Sequence, residues 1–453
     1  MRSVETVERD ALAPLMRRPG GWFWLAVVVL AAIVAAGIVA WIVQLRSGLG
    51  VTGLSSQVMW GIYIVNFIFF VGISYAGTLL SAVLRLVGAE WRRPITRIAE
   101  VVTVVSLLIA FFMIFADLGR PLIAPVNMTL FGQISAPFVW DLMVLSSYFV
   151  GALIFLYLPL IPDMARCRDA FREQGGFKYR FYKALSLNWD GSAWQKHRLE
   201  RAIAALAISI IPLAVLAHSV VAWIFGVTVR PLWNSTIFAP YFVWGAVFSG
   251  TAVIIVAMAL YRRFWGLQNH FTLRHFRNLG YILLTLNLGY IYFTFSEYLT
   301  IGYTITADYG PVLMSILSGV HAPAFWFAII LGMFVPAIMI GLPWTRNIPG
   351  ITTASVLVII GMYLKRWIIV VPPQEVAGTP AGLGSYIPNS IEWVITTAGF
   401  AALILVFLIA QRFFPVIAIW EVEQGAEGAA AEPAGAPGQH APLGPAPSGA
   451  GED

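Results

Sequence analysis

The stretch WFWLAVVVLAAIVAAGIVAWIVQL, residues 22–45, holds no ionisable side chain and is long enough to cross the roughly 20-residue hydrocarbon core of a bilayer as a helix. Four arginines precede it, but the run is too long for a signal-peptide core and no convincing small-residue cleavage site follows, so it reads as a retained helix. Comparable runs recur at 57–88, 95–116, 135–162, 199–226, 238–265, 277–303, 311–342, 350–371 and 390–411, ten in all. Internal prolines such as Pro212, Pro323 and Pro336 are compatible with this reading, because neighbouring helices re-satisfy the freed backbone groups.

Composition agrees. The 453 residues are 59% hydrophobic and only 11% charged, with a mean hydropathy of +0.80, against about 45–50% and about 25% in soluble domains. The net charge of +6 does not mark a nucleic-acid binder, since the basic residues are scattered between apolar runs. They mark topology instead. With the N-terminus in the cytoplasm, all Lys and Arg except Arg46, Arg120, Arg230, Lys365 and Arg366 fall on the cytoplasmic side, which fixes both termini inside. The single cysteine, Cys167, excludes an internal disulfide and a cysteine-ligated iron–sulfur cluster or Cys-rich zinc site in this chain.

Two motifs repeat. Trp60-Gly61 recurs as Trp244-Gly245, and Ala136-Pro137-Phe138-Val139-Trp140 as Ala322-Pro323-Ala324-Phe325-Trp326, about 185 residues later in both cases. An even number of helices separates the copies, so they share one orientation. The expected fold is all-α: a polytopic membrane protein with two parallel four-helix bundles plus two C-terminal helices. The chain divides into a cytoplasmic N-terminal segment 1–21, a first bundle 22–162, a cytoplasmic amphipathic connection 163–198, a second bundle 199–342, helices 9 and 10 at 343–412, and an Ala/Gly/Pro-rich disordered tail 424–453.

Ionisable residues within a membrane are functional candidates. Asp117, Arg120, Asp141, His218, Arg230, Glu297, His321, Arg366 and Glu392 all fall in the outer half, whereas the inner half reads as nearly free of charge away from loop boundaries. A one-sided site therefore fits better than a through-going relay. Carboxylates and imidazoles exchange protons, and abundant Trp and Phe give flat apolar walls, which together suit a quinone headgroup. Each residue also has a bland alternative. Asp117 and Arg120 form a local ion pair, Asp141 complements a helix N-terminus, His218 and His321 are core histidines, and Arg366 and Glu392 pair as a clamp.

The segments Val215-Leu216-Ala217-His218-Ser219-Val220-Val221-Ala222-Trp223 and Trp233-Asn234-Ser235-Thr236-Ile237-Phe238-Ala239-Pro240-Tyr241-Phe242 resemble the NrfD/PsrC-like membrane subunits, the polysulfide reductase NrfD family. So do Asp117-Leu118-Gly119-Arg120-Pro121, Ser135 to Asp141, Ala322 to Trp326 and Gly361 to Pro372. Ten helices look like the longer branch, which includes alternative complex III, although Ile305-Thr306-Ala307-Asp308-Tyr309 stands where that complex has a Pro-Glu-Glu-like segment. The resemblance implies a quinone- or quinol-reactive inner-membrane subunit using menaquinone or ubiquinone as substrate, with no haem or iron–sulfur cluster of its own. It implies an iron–sulfur partner on the outer face, with molybdopterin-type, multihaem cytochrome and second NrfD-like subunits as further partners. Proton translocation stays open. Asp141 and His218 are then the expected catalytic pair, with Asp117, Arg120, Trp140, His321, Arg366, Glu297 and Glu392 expected to bind quinone. The rival readings are a secondary transporter and a purely structural anchor.

Overall fold

Within a bilayer, non-helical backbone exposed to lipid would leave amides and carbonyls unpaired, and each apolar run folds accordingly. The computed structural model describes residues 4–16, 19–121, 123–228, 230–375 and 385–424; among them there is no β-strand, and ten helices are long and apolar enough to span a membrane. The tail Gly425 to Asp453 lies outside the described residues.

A short α1 (Val4–Met16) precedes the first span, α2 (Gly21–Ser47). Then come α3 (Ile62–Leu86), α4 (Arg93–Asp117), the nine-residue α5 (Ile123–Phe131) and α6 (Pro137–Ala170). The connection carries α7 (Gly176–Leu185) and leads to α8 (Ala193–Gly226), α9 (Phe238–Phe264) and α10 (Leu273–Tyr303). The run expected at 311–342 is not one helix. It divides into α11 (Tyr309–Leu317), a turn through Ser318 to His321, and a span made of α12 (Ala322–Ile329), one π-helical turn (Ile330–Phe334) and α13 (Val335–Gly341). Pro323 explains the division, because proline is tolerated in the first turn of a helix but not in its interior. The last elements are α14 (Ile348–Val370), the single turn α15 (Pro372–Glu375) and α16 (Ser390–Ala410).

The helices group differently from the expected division. α3 packs on α4 and α8, and α6 on α8 and α4, so spans two to five form the first bundle. α9 packs on α10 and α14, while α12 and α13 pack on α14, so spans six to nine form the second. α2 pairs with α16, joining the first and last spans beside the first bundle. The repeat agrees with this arrangement. Trp60-Gly61 leads into α3 and Trp244 lies in α9, a four-span offset that fits spans two to five and six to nine as repeated units, and the contacts of α2 with α16 place the first span outside them.

α3 is apolar all round and buried without interruption from Ile62 to Ala82, as expected of a central helix. It meets α9 closely, because a Cβ on Gly250 would stand 2.2 Å from the Cβ of Ala76; small residues permit such contacts in membrane bundles.

On the face carrying the chain's first residues, α1 buries Val7, Ala11, Leu12 and Leu15 in the core. Arg166 pairs there with Glu8 at 3.1 Å and with Glu423 at 2.5 Å, and Glu421 takes both Arg85 and Arg92. Deeper, Arg97 donates to Asp163 at 2.9 Å, both fully enclosed, and the other Asp163 oxygen accepts the Trp420 amide at 3.0 Å.

Candidate quinone site

Local sequence sets the two carboxylates in position. α4 stops at Asp117 because Gly119 adopts a left-handed φ of +65° and Pro121 follows, while α6 starts at Pro137 and so places Asp141 one turn inside. Between the ends of these helices, the start of α3, the end of α8 and the side of α5 lies a cavity of about 200 Å³. Trp60, Phe67, Phe111 and Phe225 give it aromatic walls, and among the described residues Asp117 and Asp141 are the only carboxylates lining it. One oxygen of each carboxyl is buried with no hydrogen-bond partner among the described residues. An orphaned buried acceptor costs about 1–3 kcal/mol, so both groups are set to receive a ligand, a water or a proton.

His218 lies one turn deeper on α8 than Val221, which lines the cavity, and is itself buried. Its ring is 4.8 Å from that of Tyr75 and 5.8 Å from that of Phe242. The Phe242 backbone lies beside it, yet among the described residues neither ring nitrogen finds a hydrogen-bond partner of good geometry. Tyr75 stacks on Tyr148 at 4.5 Å and is within electrostatic reach of Asp141, so it links the histidine to the cavity.

The other expected residues are dispersed. Trp140 is half-buried, donates to the Ile134 carbonyl and does not line the cavity; Arg120 is exposed beyond the end of α4. Among the described residues Arg120 makes no ion pair with Asp117. Arg366 is buried where the bundles meet, beside Tyr290 and 3.5 Å from the place a Gly72 Cβ would take, and does not clamp Glu392. Glu392 instead closes a capping box on α16 and accepts from the Gly53 amide at 2.7 Å and the Tyr386 hydroxyl at 2.5 Å. His321 Nε2 sits 2.6 Å from a Glu375 oxygen.

Glu297 belongs to the corresponding place in the second bundle, which side chains fill. Lys365, 1% exposed, sits 4.5 Å from the Tyr298 ring and donates to its hydroxyl at 3.2 Å, leaving about 20 Å³ among Tyr241, Glu297 and Trp233. Glu297 accepts from Ser235 at 2.9 Å and lines an open polar cleft of about 480 Å³.

Sequence reasoning missed several buried polar groups. Lys365 reads as an outer topology charge because it stands near the end of its run. The half expected to be the inner one is also less empty of charge than its sequence suggests. Arg97 and Glu100 are buried in the first two turns of α4 with Asp163 facing them, residues whose sequence position suggests a loop boundary. From Glu100 a polar series runs toward the cavity. Ser81 donates to Glu100 at 3.1 Å, Thr78 one turn along α3 donates to Thr103 at 3.2 Å, and Tyr148 donates to Thr78 at 3.0 Å or to the Ser74 carbonyl at 3.1 Å.

Known proteins match this chain over most of its length. A putative dimethyl sulfoxide reductase membrane subunit from Halobacterium salinarum is 28% identical over 441 residues, covering 91% of this chain and 94% of that protein. An Hdr-like menaquinol oxidoreductase integral membrane subunit from Archaeoglobus fulgidus is 26% identical, covering 89% and 96%. A selenate reductase subunit from Mesobacillus selenatarsenatis is 26% identical, covering 86% and 93%. The family model for polysulphide reductase, NrfD, matches residues 50–377, which take in both bundles and every wall of the cavity, and the chain therefore belongs to the NrfD family.

Proposed function

We propose that this chain is the quinone- or quinol-reactive inner-membrane subunit of a multi-subunit oxidoreductase, and that the Asp117–Asp141 cavity is its quinone pocket. The observation that carries this reading is the pair of unpartnered carboxyl oxygens in an otherwise apolar, aromatic-walled cavity at the outer end of the first bundle. An aromatic ring with two oxygens and an isoprenoid tail matches both halves of that description. The relative named as a menaquinol oxidoreductase subunit favours menaquinone.

The exchange is quinone plus two electrons and two protons to quinol, or its reverse. The electrons pass to or from an iron–sulfur centre of a partner docked on the outer face. Asp141 exchanges a proton directly with a quinone oxygen, Asp117 holds the ring from the α4 side, and His218 serves as proton acceptor or donor behind Tyr75. The polar series from Glu100 through Ser81, Thr78, Thr103, Tyr148 and Tyr75 supports a supply of those protons from the cytoplasmic face. Proton exchange with the inside combined with electron exchange outside makes the reaction electrogenic, protons being taken up as quinone is reduced and released as quinol is oxidised.

The test is quinol-analogue turnover of the assembled complex, read as reduction of the partner's centres by optical and EPR spectroscopy. Asp141→Asn and His218→Gln should each lower it by about 100-fold or more while subunit composition is unchanged. Normal turnover in both variants would sink the assignment, and a chain that purifies alone without bound quinone would favour transport.

A further inference from the structure

Residues 52–61, ahead of α3, form neither helix nor strand, so their backbone groups need partners from elsewhere. The second bundle supplies those of Met59 and Trp60. Gln374, in the turn that follows α14, is 2% exposed and uses its whole carboxamide: Oε1 accepts the amides of Met59 at 3.1 Å and Trp60 at 3.0 Å, and Nε2 donates to the carbonyls of Trp60 at 2.8 Å and Val370 at 2.7 Å. Trp60 is thus held through both its amide and its carbonyl. Its indole lines the cavity, stacks on Trp233 at 5.4 Å and meets the edge of Phe225 at 5.0 Å. Trp233 is fixed from the same side, donating its indole N–H to the Ile369 carbonyl at 2.6 Å.

The grip continues along the outer face. Glu375 pairs with His321 and accepts the Tyr386 amide at 2.7 Å, while the Tyr386 hydroxyl accepts the Ile62 amide at 2.9 Å and donates to Glu392. Burial, together with that hydrogen bond to Glu392, holds the Tyr386 phenol well above its ordinary pKa, so it stays a donor. His321 and Glu392, remote from the cavity, belong to this brace.

We propose that Gln374 is a positioning residue for the quinone pocket: by holding the Trp60 backbone it fixes the Trp60 indole as a wall, so the second bundle sets the fit of a ring bound in the first. The proposal rests on the quinone reading of the cavity. Gln374 touches no substrate and acts through Trp60.

The experiment uses the assembled complex in four forms: wild type, Gln374→Met, Trp60→Ala and the double variant. Affinity for a fluorescent hydroxyquinoline N-oxide, a quinol analogue, is titrated, and KM and kcat are measured with a soluble menadiol. Gln374→Met should raise Kd and KM about tenfold with kcat changed less than about twofold, a misplaced wall weakening the fit of the ring. The double variant should bind no more weakly than Trp60→Ala alone, because residues acting through one contact are not additive. A Gln374→Met Kd within about twofold of wild type, or losses that multiply in the double variant, overturns the proposal while leaving the quinone reading intact. A wild-type complex that binds no analogue overturns both. Should Gln374→Met not assemble, Gln374→Glu carries the same criteria, since it keeps the acceptor for the two amides and sets an oxygen against the two carbonyls.

Discussion

Asp141 could be picked out from the sequence because a carboxyl one turn inside an apolar helix is expensive unless it has work to do. Glu100 has the same burial but escaped notice, since it lies seven residues from Arg93 in a region where charge also serves topology. Hydropathy cannot tell a charge that enters the bundle from one that reaches the headgroups; only the partner across the interface can. Here the partners are Ser81 and, one turn back, the Arg97–Asp163 pair. If Glu100 is the inner end of the proton series, Glu100→Gln should slow turnover about tenfold or more and remove the proton exchange with the inside of oriented proteoliposomes, release during quinol oxidation or uptake during quinone reduction. A pH-sensitive dye on the inner side reads this. Unchanged proton exchange with the inside would exclude Glu100 from the path.

At the scale of elements, the ten runs and most of their ends were legible, because Pro and Gly punctuate them: Gly119 and Pro121 after α4, Pro137 at the start of α6. The π-helical turn at Ile330–Phe334 was not legible. It is set by a contact with a distant segment, where Gly332 and Gly361 bring two helix backbones together. A Cβ on Gly361 would stand 2.4 Å from the Gly332 Cα, closer than any side chain accepts. Gly361→Ala should therefore force α14 from its neighbour and cost about 1–3 kcal/mol, seen as a lower unfolding midpoint of the purified protein in detergent. A midpoint equal to wild type would mean that the two helices separate at little cost.

Across the whole molecule, the count of spans and the duplication were legible, whereas the grouping of spans was not. Periodicity reports which residues avoid water and says little about which helix covers them. The repeated Trp-Gly and Ala-Pro motifs fix an offset of four spans but not where the unit begins; the packing of α2 on α16 decides that. The orientation predicted by the distribution of Lys and Arg is open to direct test. Cys167 is fully buried, while Ser192 and Asn234 are exposed in opposite loops. In a Cys167→Ser background, Ser192→Cys should react with an impermeant maleimide only from the cytoplasmic side and Asn234→Cys only from the outer side. The reverse pattern would invert the topology and the side from which protons are drawn.

The pairing of α2 with α16 also has a consequence in time. The Glu392 carboxylate that accepts the Gly53 amide lies 339 residues further along the chain. At a synthesis rate of about 5–20 residues per second, the first span waits roughly 17–70 s in the membrane before the last is made. Throughout that interval its apolar surface must be covered by lipid or by the insertion machinery, whereas every wall of the cavity, Trp60 to Phe225, is made long before the last span.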